Sequence, residues 1–492
     1  MLVPCVLFKA NHEHMKNKIS YITKTTIMAA TIFLFGCEQK YNADIIIKNS
    51  YIVTMDNEMS EYGKGSLVIK DGNIVAIGEN KDIEKQYHAP EVIDGTNKLI
   101  MPGLINTHTH AAMTMFRGYA DDIHLQDWLY EHIFPIEQEF VTAENVTLSA
   151  KLAVAEMLRS GTTTFNDMYY FVDETAKVVD KAGIRAVLTK GLIDFPVPNS
   201  PTPEKGMQKT IKLIEKWNDH PRITIGVAAH APYSCSPELI VNAKNIADKH
   251  NVPFNIHVAE TLTEFETIKN EYGLSPVAYL NSLGVLDEKV IAAHCVHLTP
   301  EDILLIAEKG VGVAHNPQCN MKIASGVAPI PELLAAGAKV GIGTDGPASN
   351  NDLDMFDEMR TAAFLHKLNS NNPTVMDAQT VVKLSTIDGA KVLGLEDQIG
   401  SLEIGKKADI IILDLKKPHA HPRYNIYSLI AYSLKASDVE TVIVDGNIVM
   451  KNRKLLNIKV EDLFNKIDSL ALEVSKYTKE LALLANNSKN IK

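Results

Sequence analysis

Apolar positions change their rhythm twice along this chain. Over residues 43–99 they fall into short runs of β-formers broken by polar turns, at 44–48, 52–54, 65–69 and 73–77, with Asp71-Gly72 as a hairpin turn. From 101 to 400 short apolar runs alternate with longer segments of helical period, the pattern of repeated βα units. Short strands return at 407–413 and 442–449, and 459–484 reads as a polar, helix-favouring tail packed on the surface. The middle block predicts eight strands, at 104–108, 162–166, 184–190, 224–230, 254–257, 290–294, 310–315 and 340–345. A (β/α)8 barrel takes about 250 residues or more, so 492 residues accommodate one barrel and a smaller domain. The expected architecture is α/β: a TIM-like barrel over 101–400, with a small β-sandwich built from both flanks, 43–100 and 401–456. An extension, 1–42, precedes it, and a helical tail, 457–492, follows.

Four of the predicted barrel strands end in a metal-binding or titratable side chain. The first leads into His108-Thr109-His110, where alternation with a period of two points both imidazoles the same way. The segment at 254–257 delivers His257 and, three residues on, Glu260; the segment at 290–294 ends at His294; the glycine-rich run at 340–345 stops at Asp345. In a parallel barrel the C-terminal ends of all strands converge on one face, so these residues meet there. Three neutral imidazoles and a carboxylate, His108, His110, His257 and Asp345, match a catalytic zinc site that keeps a position open for water. Metal-bound water has its pKa lowered toward neutrality. Glu260, left over once four ligands are counted, is placed to shuttle the proton, and His294 with Asp345 to orient the water. Taken singly, His294 could be a core histidine and Glu260 a helix cap; the joint pattern favours the site.

The segment Pro102-Gly103-Leu104-Ile105-Asn106-Thr107-His108-Thr109-His110, the His257-to-Glu260 step, Ala293-His294-Cys295 and Gly343-Thr344-Asp345-Gly346 resemble the amidohydrolase superfamily. Residues 117–122, 128–137, 230–235, 315–317 and 346–351 narrow the resemblance to the 5'-methylthioadenosine/S-adenosylhomocysteine deaminases, over about 43–454. The resemblance implies zinc-dependent hydrolytic deamination of an adenosine thioether, with Glu137 and His230 against the ribose and Trp128 as an aromatic wall. Core packing is the plain alternative for Trp128. Glu260 and Asp345 would also face the substrate, and Lys190 stands where the family commonly has an arginine for the homocysteine carboxylate. Binuclear relatives carry a carboxylated lysine at the end of the fourth strand; here that strand ends at His230, which points to one ion per chain, zinc first, with Fe2+ or Mn2+ as substitutes. Deamination of a free purine base such as guanine, or hydrolysis of a ring halide, uses the same centre and stays open as an alternative. A non-catalytic scaffold is remote, because scaffolds of this fold usually lack the ligands.

Composition narrows the partners. With 46% apolar residues the chain can bury a large core, and a net charge of −11 with dispersed lysine and arginine argues against nucleic acid as a partner. Five cysteines, odd in number and without paired zinc-ribbon spacing, read as buried free thiols where they fall in the barrel. Self-association into a homo-oligomer stays open. From Met15 the chain runs through Lys16, Lys18 and Lys24 into an apolar stretch at 26–35 and then Gly36-Cys37, the form of a secretory signal. Leu34-Phe35-Gly36-Cys37 also resembles a lipobox, with Phe35 bulkier than usual, so Cys37 is a candidate membrane anchor. The alternative is an extension on a cytoplasmic enzyme, which the resemblance favours.

Overall fold

The computed structural model describes residues 40–489; the candidate leader and Cys37 lie outside them. Eight parallel strands form the central sheet in sequential order: β1 (Leu104–Thr109), β2 (Thr162–Tyr169), β3 (Arg185–Leu192), β4 (Ile223–Ala229), β5 (Phe254–Val258), β6 (Val290–His294), β7 (Gly312–His315) and β8 (Lys339–Ile342). The Asp345 amide donates to the His108 carbonyl at 3.0 Å, which ties the end of β8 back to β1 and brings the sheet round into a barrel. Every residue of β1, β2, β3, β5, β6 and β7 is buried. These strands are covered on both faces, by helices outside and by barrel side chains inside, and therefore read as continuous β-forming runs. Helices follow with side-chain caps from Ser236, Thr261, Ser275 and Thr299, each satisfying an amide of a first turn.

A second, nine-stranded mixed sheet draws its strands from both flanks. Lys98–Pro102 pairs antiparallel with Ile410–Asp414, with Met101 opposite Ile411 and Leu99 opposite Leu413. The same strand passes through Gly103 into β1; a Cβ there would lie 2.1 Å from Thr163 Oγ1, so only glycine lets the chain cross so close to β2. Barrel and sheet are also joined by a buried ion pair. Arg185 Nε and Nη2 donate to the two Asp409 oxygens at 2.8 and 3.1 Å.

Between β1 and β2 the chain builds one wall of the barrel mouth from short helical pieces: Ala111–Phe116, Leu125–Asp127, a π-helical turn Trp128–Ile133, and Phe134–Phe140. The C-terminal helix, Glu461–Lys489, does more than cover the surface. Its Leu470 and Val474 are buried in the cluster that holds Trp128, Leu129 and Ile136, and Tyr477 packs edge-on to Phe140 with centroids 5.4 Å apart. The three cysteines of the barrel segments, Cys235, Cys295 and Cys319, are free and buried as expected. Among the described residues no helix is long and apolar enough to cross a membrane.

Candidate metal centre and active site

The strand ends converge as their sequence pattern requires. His108, His257, His294 and Asp345 each offer a ligand atom, and these atoms lie within 4.8 Å of one another. His110, one residue past β1, joins them: its Nε2 is 3.2 Å from Asp345 Oδ1 and 3.4 Å from His257 Nε2. His108 Nε2 lies 3.3 Å from the same Asp345 oxygen. Both atoms of that last pair are buried without a hydrogen-bond partner. An orphaned lone pair facing an orphaned carboxylate oxygen in a dry interior is costly unless a cation fills the gap. The residues present therefore fit a divalent metal ion.

The atoms of His110, His257 and Asp345 that face away from the centre are engaged, which fixes ring tautomers and carboxylate orientation. His110 Nδ1 donates to the Met168 carbonyl at 2.5 Å, and His257 Nδ1 to the His230 carbonyl at 2.6 Å, so both present Nε2 inward. Asp345 Oδ2 accepts the Ser349 hydroxyl at 2.7 Å and the Cys319 thiol at 2.8 Å, leaving Oδ1 for the centre. Burial holds His108, at about 4, and His257 well below the ordinary imidazole range, so both are neutral and competent to ligate. Burial would push the Asp345 carboxyl up, but its contacts with His108 and His110 hold it well below the usual carboxylate range. Three of the strand-end turns place non-glycine residues in the left-handed region: Ala259 (φ 52°), His294 (φ 73°) and Asp345 (φ 58°). Each costs on the order of 1–3 kcal/mol, strain of the kind that clusters where side chains must be aimed.

Around this core, Glu260 is buried and lines the cavity above the centre, 3.8 Å from His294 Nδ1, and burial raises its carboxyl pKa. Its backbone is pinned by Glu264, whose carboxylate accepts the amides of Ala259 and Glu260 at 2.9 and 2.7 Å. His294 Nδ1 faces Asn320 Oδ1 at 2.9 Å. Glu137 reaches the cavity from Phe134–Phe140 and accepts the Tyr169 hydroxyl at 2.7 Å; burial lifts its pKa to about 7. His230, just past β4, lines the same wall with Nδ1 2.7 Å from Ser234 Oγ. Trp128 both lines the cavity and belongs to the core, its Nε1 donating to the Ala120 carbonyl at 3.0 Å.

Of the residues expected to meet the substrate, Lys190 is the one that the structure does not bring into this wall. The cavity wall at that point of β3 is Gly191. Lys190 is turned the other way, fully buried, with Nζ donating to Asn199 Oδ1 at 3.0 Å and sitting 5.2 Å from the Tyr170 ring centre. Sequence reasoning missed Glu264, Cys319, Asn320 and Ser349. Only their neighbourhood gave a signal: Cys319 and Asn320 follow His315-Asn316-Pro317 after one residue, Gln318, and Ser349 lies in the loop after Asp345.

Comparison with known proteins agrees with this geometry. A family model described as "Amidohydrolase family" matches residues 99–449. A 5-methylthioadenosine/S-adenosylhomocysteine deaminase of Syntrophobacter fumaroxidans is 44% identical over 429 residues, 87% of this chain and 98% of that protein. A 5'-deoxyadenosine deaminase of Methanosarcina mazei is 45% identical over 434 residues, 88% of this chain and 98% of that protein. Among solved structures, an adenosine deaminase from Xanthomonas campestris with bound zinc superposes with a TM-score of 0.87 at 35% identity, covering 89% of this chain and all of that one.

Proposed function

The chain belongs to the amidohydrolase family, and on that premise we propose that it is a zinc-dependent deaminase of adenosine thioethers and related 5'-substituted adenosines, producing the inosine analogue and ammonia. The observation that carries the reading is the orphaned His108–Asp345 pair, whose Asp345 lines a cavity together with Glu260.

His108, His110, His257 and Asp345 would hold the ion; the outward hydrogen bonds of His110, His257 and Asp345 support that assignment. Bound there, zinc supplies Lewis acidity and lowers the pKa of water toward neutrality. His294, beside Glu260 and held by Asn320, orients the water that adds to C6 of the purine. Glu260 takes a proton from the adding water and passes it to a ring nitrogen, then carries the remaining hydroxyl proton to the departing amine, so that the C6–N bond breaks as the carbonyl forms. Glu137 and His230, both on the cavity wall, serve the ribose, the His230 ring lying 4.9 Å from that of His257. Glu264 fixes the turn that aims Glu260.

The test is ammonia release by zinc-loaded protein from methylthioadenosine, 5'-deoxyadenosine, adenosine and guanine. Turnover of the nucleosides with guanine untouched is expected. Turnover of guanine alone would replace the nucleoside reading with the free-base one.

A further inference from the structure

If the chain deaminates 5'-substituted adenosines as above, C6 must sit among the imidazoles and carboxylates at the cavity floor. The 5' carbon is at the opposite end of such a nucleoside, so its substituent is carried to the other end of the cavity. Apart from its ionisable groups, the cavity is lined by apolar and aromatic side chains, among them Leu125, Trp128, Leu129, Ile133 and Phe134. The ionisable side chains that line the cavity are imidazoles, tyrosines and the carboxylates of Glu137, Glu260 and Asp345. Lys190 is absent from the lining, its Nζ committed to Asn199 Oδ1 at 3.0 Å and 5.2 Å from the Tyr170 ring centre. The apolar wall is also braced. Phe134 packs edge-on against Phe195 with centroids 5.2 Å apart, and Gln138 Nε2 donates to the Pro196 carbonyl at 2.6 Å, binding the loop after β3 to the wall helix.

We infer that this chain selects adenosines whose 5' substituent is small and uncharged, the 5'-deoxy and methylthio nucleosides, and discriminates against the amino-acid tail of adenosylhomocysteine. An apolar, aromatic chamber gains from a methyl or thioether group, and sulfur against aromatic rings is a favourable contact. An α-carboxylate and α-ammonium carried into the same cavity lose their water, and among the described residues neither lysine nor arginine lines it to pair with the carboxylate. A charged group left without its partner in a buried site is disfavoured by about ten- to hundredfold.

The experiment compares kcat/KM of the zinc-loaded full chain for 5'-deoxyadenosine, methylthioadenosine, 5'-n-butylthioadenosine and adenosylhomocysteine. The butyl compound has a tail of similar reach without charge, so it separates charge from size. The first three are expected within about one order of magnitude of each other, with adenosylhomocysteine about ten- to hundredfold lower. Adenosylhomocysteine matching methylthioadenosine would overturn the inference. A butyl compound as poor as adenosylhomocysteine would also overturn it, because length and not charge would then set the limit. Either result leaves the deaminase reading standing, whereas no turnover of any nucleoside removes both.

Discussion

The two donors behind Asp345 offer the sharpest test of how the metal centre is held. Ser349 Oγ at 2.7 Å and Cys319 Sγ at 2.8 Å both donate to Oδ2, while Oδ1 faces His108 and His110. Removing one donor leaves a buried carboxylate oxygen short of a partner and free to rotate off its ligand position. A hydrogen bond to a charged acceptor contributes about 1.5–3 kcal/mol, and partners of metal ligands typically govern about 10- to 100-fold in metal affinity or activity. Ser349→Ala is therefore expected to weaken zinc binding about ten- to hundredfold. Cys319→Ala should weaken it less, because a thiol is the poorer donor, and Cys319→Ser, which keeps a donor, least of all. The double alanine variant should lose less than the sum of the two, since both donors serve one oxygen. Competition against a fluorescent zinc chelator reads the affinities, and ammonia release at saturating zinc separates binding from chemistry. Zinc affinity of Ser349→Ala and Cys319→Ala within twofold of the parent would refute the claim that these contacts hold Asp345 for the ion.

Glu260→Gln should keep its zinc and lose about 10²- to 10⁴-fold in kcat, since the amide preserves size but cannot shuttle protons; near-normal kcat would take Glu260 out of that role. Arg185→Ala leaves Asp409 buried and unpaired between barrel and sheet, and should cost about 3–5 kcal/mol of stability, read from denaturant unfolding; a loss below 1 kcal/mol would mean water reaches the site. Burial, with Lys209 nearby, lowers the Lys190 pKa to about 7. The unfolded chain then binds the extra proton between that value and about 10.4, so the stability of the parent rises with pH across this window. Lys190→Met removes the dependence, and its stability relative to the parent should be greater at pH 6 than at pH 9 by about 1–3 kcal/mol. Equal differences at the two pH values would show that the ammonium is not desolvated.

The barrel and its metal face were legible because the chemistry sits at strand ends. His108 and His110 share a face by alternation alone, and His257, His294 and Asp345 each terminate an apolar run. Asp345 itself lies three residues past β8 in the left-handed region, so strand parity could not have aimed it; the turn does. Lys190 shows the limit of the pattern. All of β3 is buried, so its sequence does not say which parity faces the cavity, and the residue that does is its neighbour Gly191. The contacts that aim the site, Glu264 on the Glu260 turn and Cys319 and Asn320 on a short helix after β7, depend on packing between elements and leave no periodic trace. The C-terminal helix was foreseen as a surface tail, yet its buried face, Leu470 and Val474, supports the cavity wall, a partnership that amphipathic period alone cannot assign.

A single catalytic zinc per chain is expected to serve deamination. Apo protein titrated with zinc, with ammonia release from methylthioadenosine followed at each addition and bound metal counted, tests it most directly. The rate should rise in proportion to bound zinc, reach its plateau at one ion per chain and vanish on chelation. Full activity that needs a second bound ion, or turnover that persists in metal-free protein, would rule out a single catalytic zinc.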